Sequence, residues 1–235
     1  MSKPNLGLFC VCCLALAGCA LFRSNPLDEK RGAVVLVFDT RKAGNLNSLC
    51  RELSENGACA TFFMSGQIRR GDALTLMDLQ AAGHEFGLSG LRGTDPQLYV
   101  SMYGRQKYYQ DEIVTQVLGA KGGGLNPRHF LLHIPPKAKP ETLSLPAFIA
   151  AKGFAHVVDV LPDYVPQTPL AACKLKDPVV HAYTVTTNNF NRALIATLAQ
   201  RNEILVVAPN RQALPALLGE VRAQGVPFAT LADLK

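Results

Sequence analysis

Short apolar runs alternate with longer segments of helical period along most of the chain. From residue 33 onward, eight runs have the length of a strand and are rich in Val, Leu, Ile and Phe. They are AVVLVF (33–38), CATFFMSG (59–66), HEFGL (84–88), HFLLHIP (129–135), HVVDVL (156–161), VVHAYTV (179–185), EILVVA (203–208) and FATL (228–231). Apolar strands that alternate with helices predict repeated β-α units, and therefore a parallel sheet or barrel.

Three of the intervening segments have helical periodicity and end in glycine, as helices often do. They are NLNSLCRELSENG (45–57), ALTLMDLQAAG (73–83) and LPALLGEVRAQG (214–225). Cys50 falls on the apolar face of the first, which predicts a buried thiol. Because no repeat or linker interrupts the pattern, residues 33–235 are predicted to form one domain.

The first 18 residues differ from the rest and have the pattern of a secretion signal. A positive start precedes the apolar run LGLFCVCCLALAG (6–18), which is too short to cross a bilayer comfortably. The sequence LAGC (16–19) resembles a bacterial lipobox, in which the cysteine is lipidated and becomes the new N-terminus. We therefore predict a lipoprotein signal peptide over residues 1–18 and lipidation of Cys19, with a plain cleaved signal or an apolar N-terminal helix as the alternatives.

Residues 19–32 are predicted to be a polar tether that holds the domain at a membrane through several acyl chains. Ala20, where an aspartate would favour the inner membrane, favours the periplasmic face of the outer membrane. Of the seven cysteines, three leave with the signal and Cys19 is lipidated. The remaining Cys50, Cys59 and Cys173 allow one disulfide at most.

Composition and charge narrow the function only a little. Hydrophobic residues make up 48% of the chain and charged residues 18%, as in an ordinary globular protein. The formal net charge of +6 is explained by a mildly basic, solvated surface and does not by itself indicate a polyanionic partner. Nothing resembles a nucleic-acid-binding module, and the glycine motifs that cradle phosphates are absent.

Six stretches of the chain resemble the polysaccharide deacetylase family, also called NodB-like or family 4 carbohydrate esterases. VVLVFDT is similar to the family's LTFDDG, NGACATFFMSG to GVKATFFVVG, and AAGHEFGLSGLRG to AAGHEIGNHTYTH. NPRHFLLHIPPKA, KGFAHVVDVLPDY and NEILVVAPN stand where the later motifs would be. The resemblance covers roughly residues 33 to 235 and implies a distorted (β/α) barrel, with its chemistry on the loops at the C-terminal ends of the strands.

The resemblance implies hydrolysis of acetyl groups on glycans by a divalent metal, commonly zinc, held by one carboxylate and two imidazoles. It places Asp39 at the position of the catalytic base. Thr40 stands at the metal-binding aspartate, and Ser89 and Gly93 stand at the two histidines. Hydroxyls and a glycine do not replace such ligands, so the site is predicted to hold no metal cofactor.

The later motifs also lack residues that the family uses in catalysis. Ile134 stands where an arginine would be, and Ala208 stands where the acid histidine would be, or Pro209 if the register shifts by one. Neither an alanine nor a proline at the position of the acid histidine can donate a proton. Asp163 and Tyr164 keep a paired position of the family, with tyrosine in place of tryptophan.

Asp39 and the histidines each have a functional and a structural interpretation. The Asp39 carboxylate either hydrogen-bonds a ligand or caps the neighbouring loop by accepting backbone N–H bonds. A structural role is predicted for the histidines, with attention to His133 because it lies next to a motif loop. The five histidines are His84, His129, His133, His156 and His181.

Basic residues follow several strands and would rim the mouth of the barrel. They either focus positive potential on an anionic envelope polymer or are merely solvated loop residues. The predicted binding residues are Arg41, Arg92, Lys137, Asp163 and Tyr164, with Lys42, Arg69, Arg70, Lys139 and Arg211 on the same rim. The tyrosines of residues 92–112 either stack on sugar rings or cover their neighbours along a helix.

The sequence therefore predicts an envelope lipoprotein with a deacetylase-like barrel that lacks deacetylase activity. Its predicted role is binding or accessory, on a cell-envelope polysaccharide, an exopolysaccharide or another anionic glycan. Two alternatives remain. One is an active carbohydrate deacetylase with a non-standard site, which uses either a different metal arrangement or metal-free hydrolysis around Asp39. The other is a structural or protein-interaction lipoprotein.

Overall fold

The computed structural model describes residues 32–135, 137–161, 177–189, 192–200 and 203–234. The predictions for the signal peptide, the tether up to residue 31, Cys19, Cys173, Asp163 and Tyr164 lie outside these residues. Within the described ranges, none of the helices has both the length and the apolar character needed to span a membrane.

In the described part of the chain, eight parallel strands carry the fold, one at each predicted apolar run. They are β1 (Ala33–Asp39), β2 (Thr61–Met64), β3 (Glu85–Leu88), β4 (His129–Leu132), β5 (His156–Leu161), β6 (Val179–Val185), β7 (Ile204–Pro209) and β8 (Phe228–Ala229). Seven of them follow one another in the order β2-β3-β4-β5-β6-β7-β1, and pairing of β1 with β2 closes the ring. The predicted (β/α) barrel is confirmed.

The barrel is split at its base between β1 and β2. The C-terminal half of β1 pairs with β2, but its N-terminal half pairs with β8, through Val34 with Phe228 and Val35 with Ala229. The 3₁₀ turn that follows β8 continues the closure, since the backbone N–H of Leu231 donates to Oγ1 of Thr61 at 3.2 Å. The end of the chain thus fills the distortion of the barrel.

Helices surround the strands. In the described ranges they are α1 (Leu46–Glu55), α2 (Arg70–Ala81), α3 (Pro96–Tyr108), a π-helical segment (Tyr109–Val114), α4 (Thr115–Gly122), α5 (Pro140–Leu143), α6 (Leu145–Ala150), α7 (Arg192–Gln200) and α8 (Leu214–Ala223). Helix α1 begins after Asn45, whose side chain accepts a hydrogen bond from the N–H of Ser48. Cys50 in this helix is half-buried, and burial raises the pKa of its thiol to about 11.

Alternate positions of each strand point into the barrel, as the period of a strand requires. Val35, Val37 and Phe63 belong to the core inside the ring, while Leu36 and Phe62 pack under the surrounding helices. Phe63 is fully buried, and its ring lies over Gly87 of β3. A Cβ at position 87 would lie 2.6 Å from this ring and 2.7 Å from the carbonyl oxygen of His129, so only glycine fits there.

Candidate functional site

The alternation that fills the barrel brings polar side chains to its C-terminal mouth. Asp39 follows Val35 and Val37 on the inner face of β1, and its side chain is 4% exposed. His133 comes directly after β4 and lies at the same mouth, with Nε2 3.4 Å from Oδ2 of Asp39. The mouth therefore places a carboxylate beside an imidazole.

Arg41 binds the Asp39 carboxylate from two residues further along the chain. Its Nη2 donates to Oδ2 at 2.7 Å, and its Nε donates to both carboxylate oxygens at 3.1 and 3.2 Å. The backbone N–H of Arg41 donates to Oδ1 at 3.0 Å, which is the loop-capping contact considered for Asp39. This geometry makes the pair an ion pair supported by several charge-assisted hydrogen bonds.

The surroundings of Asp39 act on its ionisation in opposite directions. Burial raises the pKa of Asp39, but the hydrogen bonds from His133 and Arg41 outweigh burial and hold that pKa well below its usual range. The carboxylate in turn raises the pKa of Arg41. Asp39 is therefore ionised, and its charge is already compensated inside the protein.

The guanidinium of Arg41 fills the space next to Gly93. A Cβ built at position 93 would lie 2.0 Å from Nη1 of Arg41, and Gly93 has a φ of +66°, in the left-handed region that favours glycine. A side chain at position 93 and the observed position of Arg41 therefore exclude each other. Position 93 is where the sequence resemblance expects a metal-binding histidine.

Neither of the hydroxyls at positions 40 and 89 is hydrogen-bonded to the Asp39 carboxylate. Oγ1 of Thr40 donates to the carbonyl oxygen of Phe63 at 3.1 Å and so supports the pairing of β1 with β2. Ser89 is 6% exposed, and its Oγ has no hydrogen-bond partner among the described residues. One hydroxyl is thus used by the fold, while the other remains unsatisfied at the mouth.

Two side chains that the sequence analysis missed hold the loop after β3. Glu112 is fully buried, and its carboxylate accepts hydrogen bonds from the N–H of Arg92 and from Oγ1 of Thr94, both at 2.8 Å. Gln116 accepts from the N–H of Gly90 at 3.1 Å and donates to two carbonyl oxygens of the preceding loop. The spacing of four residues between Glu112 and Gln116 in a helical segment is the signal that indicates a shared face.

Two cavities open at the mouth. The larger has a volume of about 820 Å³, with mainly apolar walls and a polar edge that includes Asp39, Lys42 and Thr184. The smaller, of about 260 Å³, is lined by Arg41 and Ser89 among others. His133 lines both cavities, so the Asp39–Arg41 pair lies where they adjoin.

Solved structures resemble this architecture over nearly the whole chain, although no protein-family model and no curated protein matches the sequence. A family 4 carbohydrate esterase from Bacillus anthracis is 16% identical, with a TM-score of 0.53 over 88% of this chain and 83% of that chain. A second one, from Streptomyces lividans in complex with acetate, is 17% identical, with a TM-score of 0.51 over 87% and 94%. The chain has the family 4 carbohydrate esterase fold.

An allantoinase has the same fold. It is 14% identical, with a TM-score of 0.55 over 90% of this chain and 93% of that chain. At these identities the likeness shows the architecture alone, and function has to be argued from the residues at the mouth.

The carbohydrate esterase fold raises the question of a metal at this mouth, and the residues present do not fit one. Position 40 supplies a hydroxyl directed at a carbonyl oxygen, position 89 a neutral hydroxyl and position 93 no side chain. The guanidinium of Arg41 forms an ion pair with the carboxylate of Asp39, with Nη2 2.7 Å from Oδ2, and its positive charge would repel a metal cation at the same place. In the ranges that the structure describes, no three His, Cys, Asp or Glu side chains converge to hold a metal ion.

The other predicted binding residues lie at the same end of the esterase-like barrel or outside the described residues. Arg92 and Lys137 are exposed in the loops after β3 and β4, and their roles stay predictions. Ile134 is buried, whereas a guanidinium reaches Asp39 from the loop after β1. Ala208 lines the larger cavity at the end of β7.

Several histidines away from the mouth have structural contacts. At the base of the barrel, His129 lies 2.8 Å from Glu85, and its ring stacks on that of His156 at 5.1 Å between centroids. The sequence did not indicate a contact between His129 and His156, because they lie on different strands and the pairing of those strands brings them together. His84 is 2% exposed and packs edge-on against Phe62, and burial lowers the pKa of its imidazole to about 4.

The tyrosines of α3 favour the structural interpretation. Tyr99 and Tyr108 are buried, and their rings lie 5.8 Å apart, while Tyr103 is exposed. The hydroxyl of Tyr99 donates to Asp111. Tyr99 therefore packs the helix against its neighbours.

Proposed function

We propose that this chain is an envelope lipoprotein whose barrel binds a cell-envelope polysaccharide or exopolysaccharide and does not deacetylate it. The observation that carries the proposal is the Asp39–Arg41 ion pair. Its guanidinium takes the space beside Gly93, where the resemblance expects a metal-binding histidine, and it pairs with the carboxylate that the resemblance places as the catalytic base.

The larger cavity supports a binding role. Its volume of about 820 Å³ lies within the usual range of about 300–1,000 Å³ for small-molecule sites. Apolar walls with a few polar groups at the edge match a sugar ring, which has apolar faces and hydroxyl groups around its rim. Asn210 and Gln212 add amide groups to that edge.

A second candidate function is hydrolysis without the usual metal site, and the 3.4 Å contact between His133 and Asp39 is the observation that favours it. A carboxylate that orients an imidazole is a common arrangement for general acid-base chemistry. This candidate requires turnover that is lost when either residue is replaced.

Three measurements on the purified full chain in detergent test the proposal. We expect less than about one tenth of a zinc ion per chain, no acetate release from acetylated chitooligosaccharides, and retention on purified envelope glycans. Stoichiometric zinc together with turnover that Asp39→Asn abolishes contradicts the proposal. Turnover without metal that both Asp39→Asn and His133→Gln abolish favours the second candidate.

The membrane anchor is a separate part of the proposal and rests on the LAGC sequence at residues 16–19. We expect the mature protein to carry acyl chains on Cys19 and to fractionate with the outer membrane, and Cys19→Ala to abolish lipidation. Mass spectrometry of the N-terminal peptide measures this. An unmodified Cys19 in the mature chain contradicts it, while co-purified envelope proteins without any glycan binding would indicate a protein-interaction role.

A further inference from the structure

The smaller cleft, of about 260 Å³, adjoins the larger cavity near the ion pair. Arg41, Gly93, Ser89, Tyr108 and His133 are among the residues that line it. Its volume is just below the usual range for small-molecule sites, so it fits one sugar ring or one substituent of a ring rather than a length of chain.

Arg41 presents an unused donor to this cleft. Its Nε and Nη2 bind Asp39, whereas Nη1 lies against Gly93, which also lines the cleft, and has no hydrogen-bond acceptor among the described residues. The Arg41 side chain is 37% exposed, so a ligand can reach it. Because guanidinium N–H groups form planar, parallel pairs of hydrogen bonds, the remaining edge matches a carboxylate.

Ser89 is a second, independent feature of the cleft. It is more than nine-tenths buried, and its Oγ has no partner among the described residues. A buried hydroxyl without a partner is unfavourable unless a bound group satisfies it. Rotation about the Cα–Cβ bond allows Oγ to donate to an oxygen held in the cleft.

The negative charges around the cleft restrict what it accepts. Asp95 lines it, but its Oδ1 accepts from the N–H of Gln97 at 2.8 Å, and Glu112 beneath the loop is likewise hydrogen-bonded. These carboxylates and Asp39 disfavour a doubly charged phosphate or a cluster of sulfates. A single carboxylate gains charge-assisted hydrogen bonds with the least repulsion.

We infer that the smaller cleft binds the carboxylate of an acidic sugar, with Nη1 of Arg41 as its charged donor and Ser89 as a supporting donor. The inference rests on the proposed glycan-binding function and names the chemical class of the glycan. A guanidinium then holds the ligand at the mouth where the sequence resemblance expects a metal.

Matched oligosaccharides test the inference with the full chain in detergent. One member contains glucuronate and the other is its carboxyl-reduced, neutral counterpart, and both are titrated calorimetrically at 150 mM salt. We expect the acidic member to bind about tenfold more tightly, as one charge-assisted hydrogen bond implies. A panel of purified envelope glycans is assayed in parallel for binding of any kind.

Three variants distinguish the cleft from general electrostatic attraction. The double variant Asp39→Asn with Arg41→Gln removes the ion pair without leaving an unpaired charge, and we expect it to lose the preference. Asp39→Asn alone frees the guanidinium and should keep or increase the preference. The control Lys121→Gln removes an exposed positive charge in the last turn of α4, the helix that leads to the start of β4, and it should change nothing.

Each outcome has a definite meaning. Equal binding of the two oligosaccharides, or a preference that survives loss of Arg41, overturns the inference and leaves the proposed function in place. Loss of the preference in Lys121→Gln also overturns it. Binding of panel glycans but of neither oligosaccharide overturns the inference alone, whereas binding of no glycan at all overturns the proposed function as well.

Discussion

The Asp39–Arg41 pair should be energetically coupled far beyond an ordinary surface ion pair. Arg41→Met removes the guanidinium and leaves a carboxylate that is 4% exposed with only His133 and a backbone N–H as partners. Loss of one partner of a fully buried pair costs about 3–5 kcal/mol, and because the Arg41 side chain is 37% exposed we expect about 2–3 kcal/mol here. Asp39→Asn should cost about 1–2 kcal/mol, since the amide keeps part of the hydrogen bonding.

The double variant Asp39→Asn with Arg41→Met should cost about 2 kcal/mol, less than the sum of the single changes, because it leaves no unpaired charge. The coupling energy is then about 1–3 kcal/mol, within the range known for residues in one network. Urea unfolding at pH 7 measures the four free energies of the cycle. Lys107→Met, which breaks the exposed pair between Lys107 and Asp111, serves as a comparison and should cost at most about 0.5 kcal/mol.

The pH dependence gives an independent check on the same pair. Because the pKa of folded Asp39 lies below its unfolded value, its contribution to stability is complete above the unfolded pKa of about 4 and is lost as the pH falls through the folded pKa. The difference in stability between the wild type and Asp39→Asn should shrink as the pH falls below about 4. A coupling below about 0.5 kcal/mol, or a difference that does not shrink below about pH 4, would refute the reasoning.

Three further predictions concern the metal site, the core and a buried histidine. The triple variant Thr40→Asp, Ser89→His, Gly93→His should bind zinc tightly only when Arg41→Gly is added. Competition with a chromophoric chelator measures the affinity, which should be at least about tenfold weaker without that fourth change. Gly87→Ala should lower the free energy of unfolding by about 1–3 kcal/mol in urea, and adding Phe63→Leu should restore only part of it because the carbonyl oxygen of His129 still lies 2.7 Å from the new Cβ. Burial lowers the pKa of His84 to about 4, from about 6.5 in the unfolded chain. Because the folded protein disfavours the protonated imidazole, the free energy of unfolding should be unaffected by His84 above about pH 6.5 and should fall by up to about 3 kcal/mol as the pH is lowered to about 4. His84→Leu should lose about half of the acid dependence in that interval, because His156 has a similarly lowered pKa, and an unchanged slope would contradict the assignment.

The barrel could be predicted because its strands are apolar on both faces. Runs such as AVVLVF leave no exposed face, so the sequence itself indicates a central parallel strand, and all eight runs became strands. The closure at the base could not be predicted in the same way. It depends on β8, a strand of two residues, and on backbone donors of the following turn that bind Thr61 and Glu85. A sequence pattern carries no information about such backbone contacts.

The candidate site was only partly predictable for a related reason. The resemblance located Thr40, Ser89 and Gly93, but it gave no position for the Arg41 side chain, which was predicted as a ligand-binding residue on the rim. Its contacts with Asp39 depend on the turn after β1, where the backbone N–H of Arg41 first binds the carboxylate. Glu112 is a similar case, because a charged residue in a helical segment is usually solvated and here holds a loop about 20 residues away in sequence.

The three departures from the deacetylase pattern at the metal-ligand positions are physically one arrangement. A carboxylate as buried as Asp39 stays ionised only when hydrogen bonds or a nearby cation stabilise it, and here Arg41 supplies both. Once Arg41 supplies the charge, a side chain at position 93 would collide with Nη1, and a second aspartate at position 40 would add a negative charge without a matching cation. Glycine at 93 and threonine at 40 follow from the position of the guanidinium, whereas a histidine at 89 would have no partner metal left to bind. Restoring the metal ligands one at a time should therefore destabilise the protein, and only their combined replacement together with Arg41 should be tolerated.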